Sequence, residues 1–395
     1  MTNYQFLTPY RFNNGLELKN RVVMAPTTTM SSFYNGMVTK DELAYYAKRA
    51  DGPGMIVTEV ANVSTNGKGF EGELSVTSDD MIPGLTKLAK TIQKDGAKAI
   101  LQIFHAGRKS FKKILAGETP VGPSATKAIF PPNSEVPREL TEAEIEQIIV
   151  DFGQATRRAI VAGFDGVELH GANTYLLQQF YSPNANLRTD AWGGDRDGRL
   201  SFAKKVLAEV NRVITKYGKD TFLLGYRLSP EEIETPGIRL ADSLYFVSAI
   251  KDDVDYIHLS MGSYKRTSLN DRDDKTLLLH HFSNILSQQI PLIGIGSIET
   301  PQDAEEALSN GASLIAIGRE LIREPEWVQK VASGNEASIS QTLDPKEMDD
   351  LAIPAVMQSF LTGAFFDVMH FTTDEAVVKS YTNELAPMEG VEKKL

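Results

Sequence analysis

The fold class this sequence predicts is α/β, a (β/α)8 TIM barrel with a C-terminal helical extension, and three observations predict it. Short β-branched or apolar runs alternate with longer helical patterns, the order expected of βα units around a parallel sheet. Eight such runs can be counted, and each is apolar enough to be covered on both sides, which suits a closed barrel better than an open sheet. The 395 residues leave room for a barrel, which takes about 250 residues or more, and an appendage. A doubly wound open sheet is the alternative of similar composition.

Taken in order, the runs are RVVMAP from 21, MIVTEV from 55, AILQIF from 99, GVELHG from 166, FLLGYRL from 222, YIHLSMG from 256, PLIGIGS from 291 and SLIAIG from 313. Helix starts are readable between them. Thr39 with Glu42 and Thr141 with Glu144 have capping-box spacing, and Thr300 precedes Pro301 at a first helical position, where the missing N–H costs nothing. Two inserts interrupt the alternation: Gly107 to Arg138 after the third run, and SYKRTSLNDRDDKT from 263 after the sixth. Both fall where barrels build active-site loops. The pattern stops near residue 335, so the expected division is a barrel over 1–335 and an extension over 336–395. In the extension, SGNEASISQTLDPKEMDD reads as a polar connection and LAIPAVMQSFLTGAFFDVMHF as one or two packed helices, with EGVEKKL solvated.

With 42% hydrophobic and 24% charged residues, the chain has the make-up of a globular protein with a large core. No apolar run approaches the roughly 20 residues needed to span a bilayer, and MTNYQFLTPYRFNN lacks the order of a signal peptide, so a cytoplasmic location is expected. A net charge of -11 without a basic stripe argues against nucleic acid and anionic membranes as partners. Zero cysteines exclude disulfides, thiolate metal sites, iron–sulfur clusters and a cysteine nucleophile. No metal is expected, and redox chemistry would need an organic cofactor.

Barrel chemistry sits at the C-terminal strand ends. There the sequence offers Gln102, His105, Glu168, His170, Arg227, His258, Ser260 and Arg319. His170 and Asn173 are three apart, so on a helical turn leaving the fourth run they project the same way and suit a single carbonyl oxygen. Tyr175 adds a phenol able to protonate carbon. Taken alone, that spacing more often belongs to satisfied structural residues. The Gly-containing turns of the last two runs, with Gly296, Ser297, Gly318 and Arg319, fit a phosphate held by backbone N–H groups and a guanidinium, or simply tight strand-to-helix turns.

The segment HGANTYLLQQFYSPNANLRTDAWGGDRDGRLSF, from His170 to Phe202, resembles the Old Yellow Enzyme family of FMN-dependent ene-reductases. Further similarities follow in the family's order over roughly residues 4 to 330. RVVMAPTTTMSS resembles the segment lying along the flavin, which implies contacts from Ala25, Pro26 and Thr28. LQIFHAGRKS implies that Gln102 bonds the flavin pyrimidine, GYRLSP that Arg227 lies near flavin N1, and IGIGSI with AIGREL that Gly296, Ser297, Gly318 and Arg319 bind the phosphate. Departures are Thr174 for the usual Gly, which would narrow the pocket, Trp192 for Tyr, and DRDGR before the Phe. Thr28 stands where one branch carries a redox-tuning Cys, and Met30 where that branch puts a substrate-facing Tyr.

The resemblance implies FMN as cofactor and NADH or NADPH as electron donor. It further implies reduction of an electron-poor alkene, an enone or nitro-alkene, by hydride from flavin N5. His170 and Asn173 would hold the substrate oxygen and Tyr175 would supply the proton. The alternatives are a flavoprotein with another electron acceptor or a sensing role, and a phosphate-binding barrel lyase, which lacks a strand-end lysine here. A homo-oligomer is compatible with the family. His105 and His258 each read as pocket or core groups, and Glu59 as the cap of a loop or of a helix terminus.

Overall fold

The computed structural model describes residues 4–287 and 289–372. The eight expected runs are its barrel strands: Val22–Met24, Met55–Asn62, Lys98–Phe104, Gly166–Gly171, Leu223–Leu228, Tyr256–Leu259, Leu292–Ile295 and Leu314–Ile317, first to eighth. Each pairs in parallel with the next, and the eighth returns to the first through Ile315↔Val22, Ala316↔Val23 and Ile317↔Met24. Closure leaves the barrel no free edge. The second strand is buried at all eight residues, as a sheet covered on both faces requires.

The helices start where the caps are. The Thr39 hydroxyl accepts the Glu42 N–H, Thr141 and Glu144 form a reciprocal capping box, and Thr300 forms another with Asp303, with Pro301 in the first turn. Helix Glu142–Ala162 buries Ile145, Ile148, Ile149, Phe152 and Ala159, a stripe at helical spacing. It stops at Gly163, whose φ of 90° lets its N–H return to Ala159 and Ile160.

An antiparallel pair, Tyr10–Arg11 with Glu17–Leu18, precedes the barrel and has no counterpart in the sequence reading. Asn13 and Asn14 donate to the carbonyls of Gln289 and Phe222, which lie just before the seventh and fifth strands. The hairpin therefore covers the N-terminal end of the barrel and leaves the opposite end for the site.

The extension is folded onto the barrel. Leu343 bridges Phe371, and helices Ala355–Thr362 and Phe366–Met369 lie between them. Leu343, Met348, Ile353, Met357, Leu361 and Met369 join the same apolar core as the barrel strands. Two buried arginines reach it: Arg49 donates to Leu351 O at 3.0 Å and Arg323 to Gln341 O at 2.8 Å. The EGVEKKL end lies outside the described residues. Among the described residues no helix is long and apolar enough to cross a membrane.

Candidate active site

A cavity of about 650 Å³ opens at the C-terminal strand ends, within the range of about 300–1,000 Å³ usual for small-molecule sites. Ala25, Pro26 and Thr28 line it from the first strand's exit, Arg227 from the fifth, Gly296 and Ser297 from the seventh, and Gly318 and Arg319 from the eighth. Gln102 is not in the lining. It is buried one layer down, and its amide donates to Glu168 Oε1 at 2.6 Å.

The turn after the seventh strand shows why a glycine stands there. Gly296 has φ 114°, and a Cβ added to it would lie 2.5 Å from Ser263 N. Ser297 follows at φ 49°, also left-handed. Its hydroxyl donates to Gly262 O at 2.9 Å and accepts from Arg319 Nη2 at 2.8 Å. Two strand exits are thereby joined through one guanidinium, whose second nitrogen donates to Val368 O at 3.3 Å.

At the fourth strand, His170, Asn173 and Tyr175 come together, though not by the route expected. The helix begins only at Leu176, and Asn173 and Thr174 are both left-handed, φ 56° and 62°. That turn folds Asn173 back over His170. The imidazole Nδ1 accepts the Ala172 N–H at 3.2 Å, which leaves Nε2 as the protonated nitrogen of a neutral ring. The Asn173 amide is oriented by Ser260, whose hydroxyl donates to Oδ1 at 3.0 Å, so Nδ2 faces the imidazole. The two nitrogens stand 3.4 Å apart. Both being donors, they do not satisfy each other and are placed to share one acceptor.

Burial, with Arg227 and His258 nearby, holds His170 well below the ordinary histidine range, so the ring is neutral at pH 7. The Tyr175 ring packs edge-on against His170 and Phe104, centroids 5.0 and 4.9 Å away. Burial, assisted by Glu73, pushes its phenol above the usual value and keeps it protonated. The three residues do not line the cavity itself. Arg227 does, and it stands directly opposite His170 in the fourth–fifth strand ladder.

Below Arg227 lies a polar cluster whose members are visible in the sequence only as separate strand ends. Glu168 accepts from Gln102 and meets His258 Nδ1 at 2.9 Å, all three buried. Burial raises the Glu168 carboxyl, but His258, Arg227 and Gln102 outweigh it and hold the group below its usual range. The ladders set Gln102 opposite Glu168 and Arg227 opposite His258, an adjacency that appears only once register is known. Arg227 Nε is buried with no hydrogen-bond partner among the described residues. An unmet guanidinium donor beside a cavity fits an anionic or carbonyl-rich ring such as that of FMN.

The remaining candidates have local roles. His105 Nδ1 accepts the Gly107 N–H at 3.0 Å, Nε2 lies 3.2 Å from Asn66 Oδ1, and burial pushes its pKa down to about 3. Glu59 holds a loop, accepting the Thr29 N–H at 3.0 Å and the Thr29 hydroxyl at 2.5 Å. Met30, φ 53°, packs with Val356, Phe70 and Phe360. That contact brings the extension to the rim of the site, which the linear pattern did not indicate.

Residues 5–338 match the model of the NADH:flavin oxidoreductase / NADH oxidase family. The chain is 42% identical over 363 residues to the NADH:fumarate oxidoreductase of Klebsiella pneumoniae (strain 342), covering 91% of this chain and 39% of that protein. It is 40% identical to the probable NADH-dependent flavin oxidoreductase YqiG of Bacillus subtilis (strain 168), covering 88% and 92% of the two chains. Among solved structures, morphinone reductase in complex with tetrahydroNAD superposes with a TM-score of 0.72 at 28% identity, over 84% of this chain and 92% of that one. The chain thus spans about two-fifths of the fumarate oxidoreductase and nearly all of the other two.

Proposed function

The chain belongs to the NADH:flavin oxidoreductase / NADH oxidase family, whose cofactor is FMN and whose members draw on NADH or NADPH, and from that premise we propose that it reduces activated alkenes, enones or nitro-alkenes. When bound, FMN supplies the two-electron carrier, taking hydride from the nicotinamide and passing it to the alkene. Ala25, Pro26 and Thr28 would flank the ring, Arg227 would face its electron-accepting edge, and Gly296, Ser297, Gly318 and Arg319 would hold the phosphate. Gln102 would act from the layer beneath through Glu168.

One observation carries the substrate reading: His170 Nε2 and Asn173 Nδ2 are donors fixed 3.4 Å apart, each oriented by a separate partner. An oxygen accepting from both draws negative charge toward itself and leaves the β-carbon electron-poor. Tyr175, held protonated beside the imidazole, gives its proton to the α-carbon. Hydride at one carbon and proton at the other complete the addition of two hydrogens across the double bond. Turnover at a neutral site of this kind requires no charged imidazole.

A second reading is favoured by the length of the fumarate oxidoreductase, of which this chain covers 39%. In it the barrel accepts electrons from NAD(P)H and hands them to another acceptor. An anaerobic titration separates the two. The purified protein should show a flavin spectrum, bleach with NADH or NADPH, and regain colour on addition of cyclohexenone or a nitro-alkene. A reduced form that no activated alkene reoxidises, yet other acceptors do, would decide for the second reading.

A further inference from the structure

Asn173 and Thr174, at the exit of the fourth strand, hold φ 56° and 62°, a conformation that residues with a side chain keep only where their surroundings fix it. Three side chains fix it here. The Asn173 N–H donates to Ser229 Oγ at 2.9 Å, the Thr174 N–H donates to Gln178 Oε1 at 3.0 Å, and Thr174 O accepts from Gln179 Nε2 at 2.7 Å.

The two glutamine amides are oriented by different means. Gln179 is set by main chain, accepting the Arg108 N–H at 3.1 Å and donating to Ala106 O at 3.0 Å. Gln178 depends on a side chain from the loop after the fifth strand: its Nε2 donates to Glu232 Oε1 at 2.7 Å. Glu232 Oε2 in turn accepts the Ser182 hydroxyl at 2.6 Å and the Ile238 N–H at 3.0 Å. Gln178, Ser182 and Glu232 are all buried. A backbone N–H can only donate and a carboxylate can only accept, so a single orientation of the Gln178 amide serves both of its ends.

We propose that Glu232 and Gln178 are positioning residues for alkene reduction: the carboxylate sets the amide, the amide holds the Thr174 N–H, and the left-handed turn so fixed aims Asn173 Nδ2 beside His170 Nε2. This rests on the reading of that nitrogen pair given above. The loop after the fifth strand thus reaches the fourth-strand site twice, through Ser229 on Asn173 and through Glu232 on Thr174.

Exchanging the two side chains tests this. In Glu232→Gln, an amide oxygen kept on the Ile238 N–H turns the new NH2 toward Gln178, which must then flip and present its own NH2 to the Thr174 N–H. Adding Gln178→Glu restores the pattern: the carboxylate now at 178 accepts from Thr174 and from the amide now at 232, whose oxygen keeps Ser182 and Ile238. The readout is reoxidation of the reduced, FMN-bound protein by cyclohexenone in stopped flow, as a limiting rate per bound flavin. Glu232→Gln should lower it about tenfold, less than the roughly 10²–10³ lost when such a donor is removed outright. The double exchange should return it to within about threefold of the unaltered protein, the sign of a coupled pair. Should Glu232→Gln not fold, Gln178→Met, which leaves Ser182 and Ile238 on the carboxylate, carries the same expected loss. A pair that only supports the fold would lower the urea midpoint and leave the rate per bound flavin unchanged. That result overturns the inference, as does a double exchange no faster than Glu232→Gln alone. Unaltered reduced protein that no activated alkene reoxidises would instead remove the proposed function and this inference with it.

Discussion

At the turns after the seventh and eighth strands the surface offered to a ligand is largely backbone, shaped by Gly296 at φ 114° and Ser297 at φ 49° and tied by one arginine. At the exit of the fourth strand it is side chain, with two nitrogens and a phenol aimed by Ala172, Ser260 and Phe104. A backbone turn can grip a phosphate but has little to titrate. A side-chain set can be chemically selective, and its aim depends on each supporting contact. The comparison teaches that affinity and chemistry should be separable in this protein, since disturbing one end should leave the other nearly intact.

The largest expected effect is at the side-chain end. Tyr175→Phe keeps the ring that packs at 4.9 Å on Phe104 and removes only the hydroxyl. Alkene reduction should fall by about 10²–10⁴, whereas bleaching by NAD(P)H should stay within about threefold, since the phenol proton is needed only where carbon is protonated. Stopped-flow measurement of the two half-reactions checks this. If both slowed together, the division between the two ends would fail.

The next effect belongs to the backbone end. In Gly296→Ala the new Cβ would lie 2.5 Å from Ser263 N and 2.7 Å from Gly262 C, both main chain, so the turn itself must move. FMN affinity should drop by about a hundredfold, the scale of losing one or two charge-assisted hydrogen bonds. At saturating FMN the alkene step should be little changed. A variant that bound FMN normally but had lost alkene reduction would reverse the assignment of roles.

How far each end was legible in the sequence follows from the same contrast. The eight strands were readable because β-branched runs between capped helices are local signals, and Thr141 with Glu144 forms its capping box as expected. The glycine turn after the seventh strand was readable because a glycine directly behind an apolar strand run marks a tight turn, and Gly296 takes it up at φ 114°. The two-residue pair Tyr10–Arg11 with Glu17–Leu18 was not, because such short strands have no periodicity to detect. Nor was the cluster of Gln102, Glu168, Arg227 and His258, whose contacts cross ladders and depend on register. The extension read as apolar helices, but nothing local said that Phe360 and Val368 would face the cavity. His170 and Asn173 were paired for the wrong local reason: spacing suggested a helical turn, and the chain makes a left-handed one.

That left-handed turn gives the smallest effect and the finest test. Thr174 is β-branched at φ 62°, a conformation that costs an L residue about 1–2 kcal/mol, and its hydrogen bonds with Gln178 and Gln179 are made by its own backbone. Thr174→Gly keeps both and removes the strain. Glycine's greater loss of chain entropy, about 0.5–1 kcal/mol, offsets part of the gain. The net expectation is a stabilisation of at most about 1 kcal/mol, seen as a higher urea midpoint with unchanged slope. Because Ser229 holds the Asn173 N–H at 2.9 Å and Ser260 its amide at 3.0 Å, alkene reduction should change by less than about twofold. A more stable variant with tenfold slower alkene reduction would mean that the strained threonine itself aims the donor, making the side-chain end depend on backbone strain as the backbone end depends on its glycine.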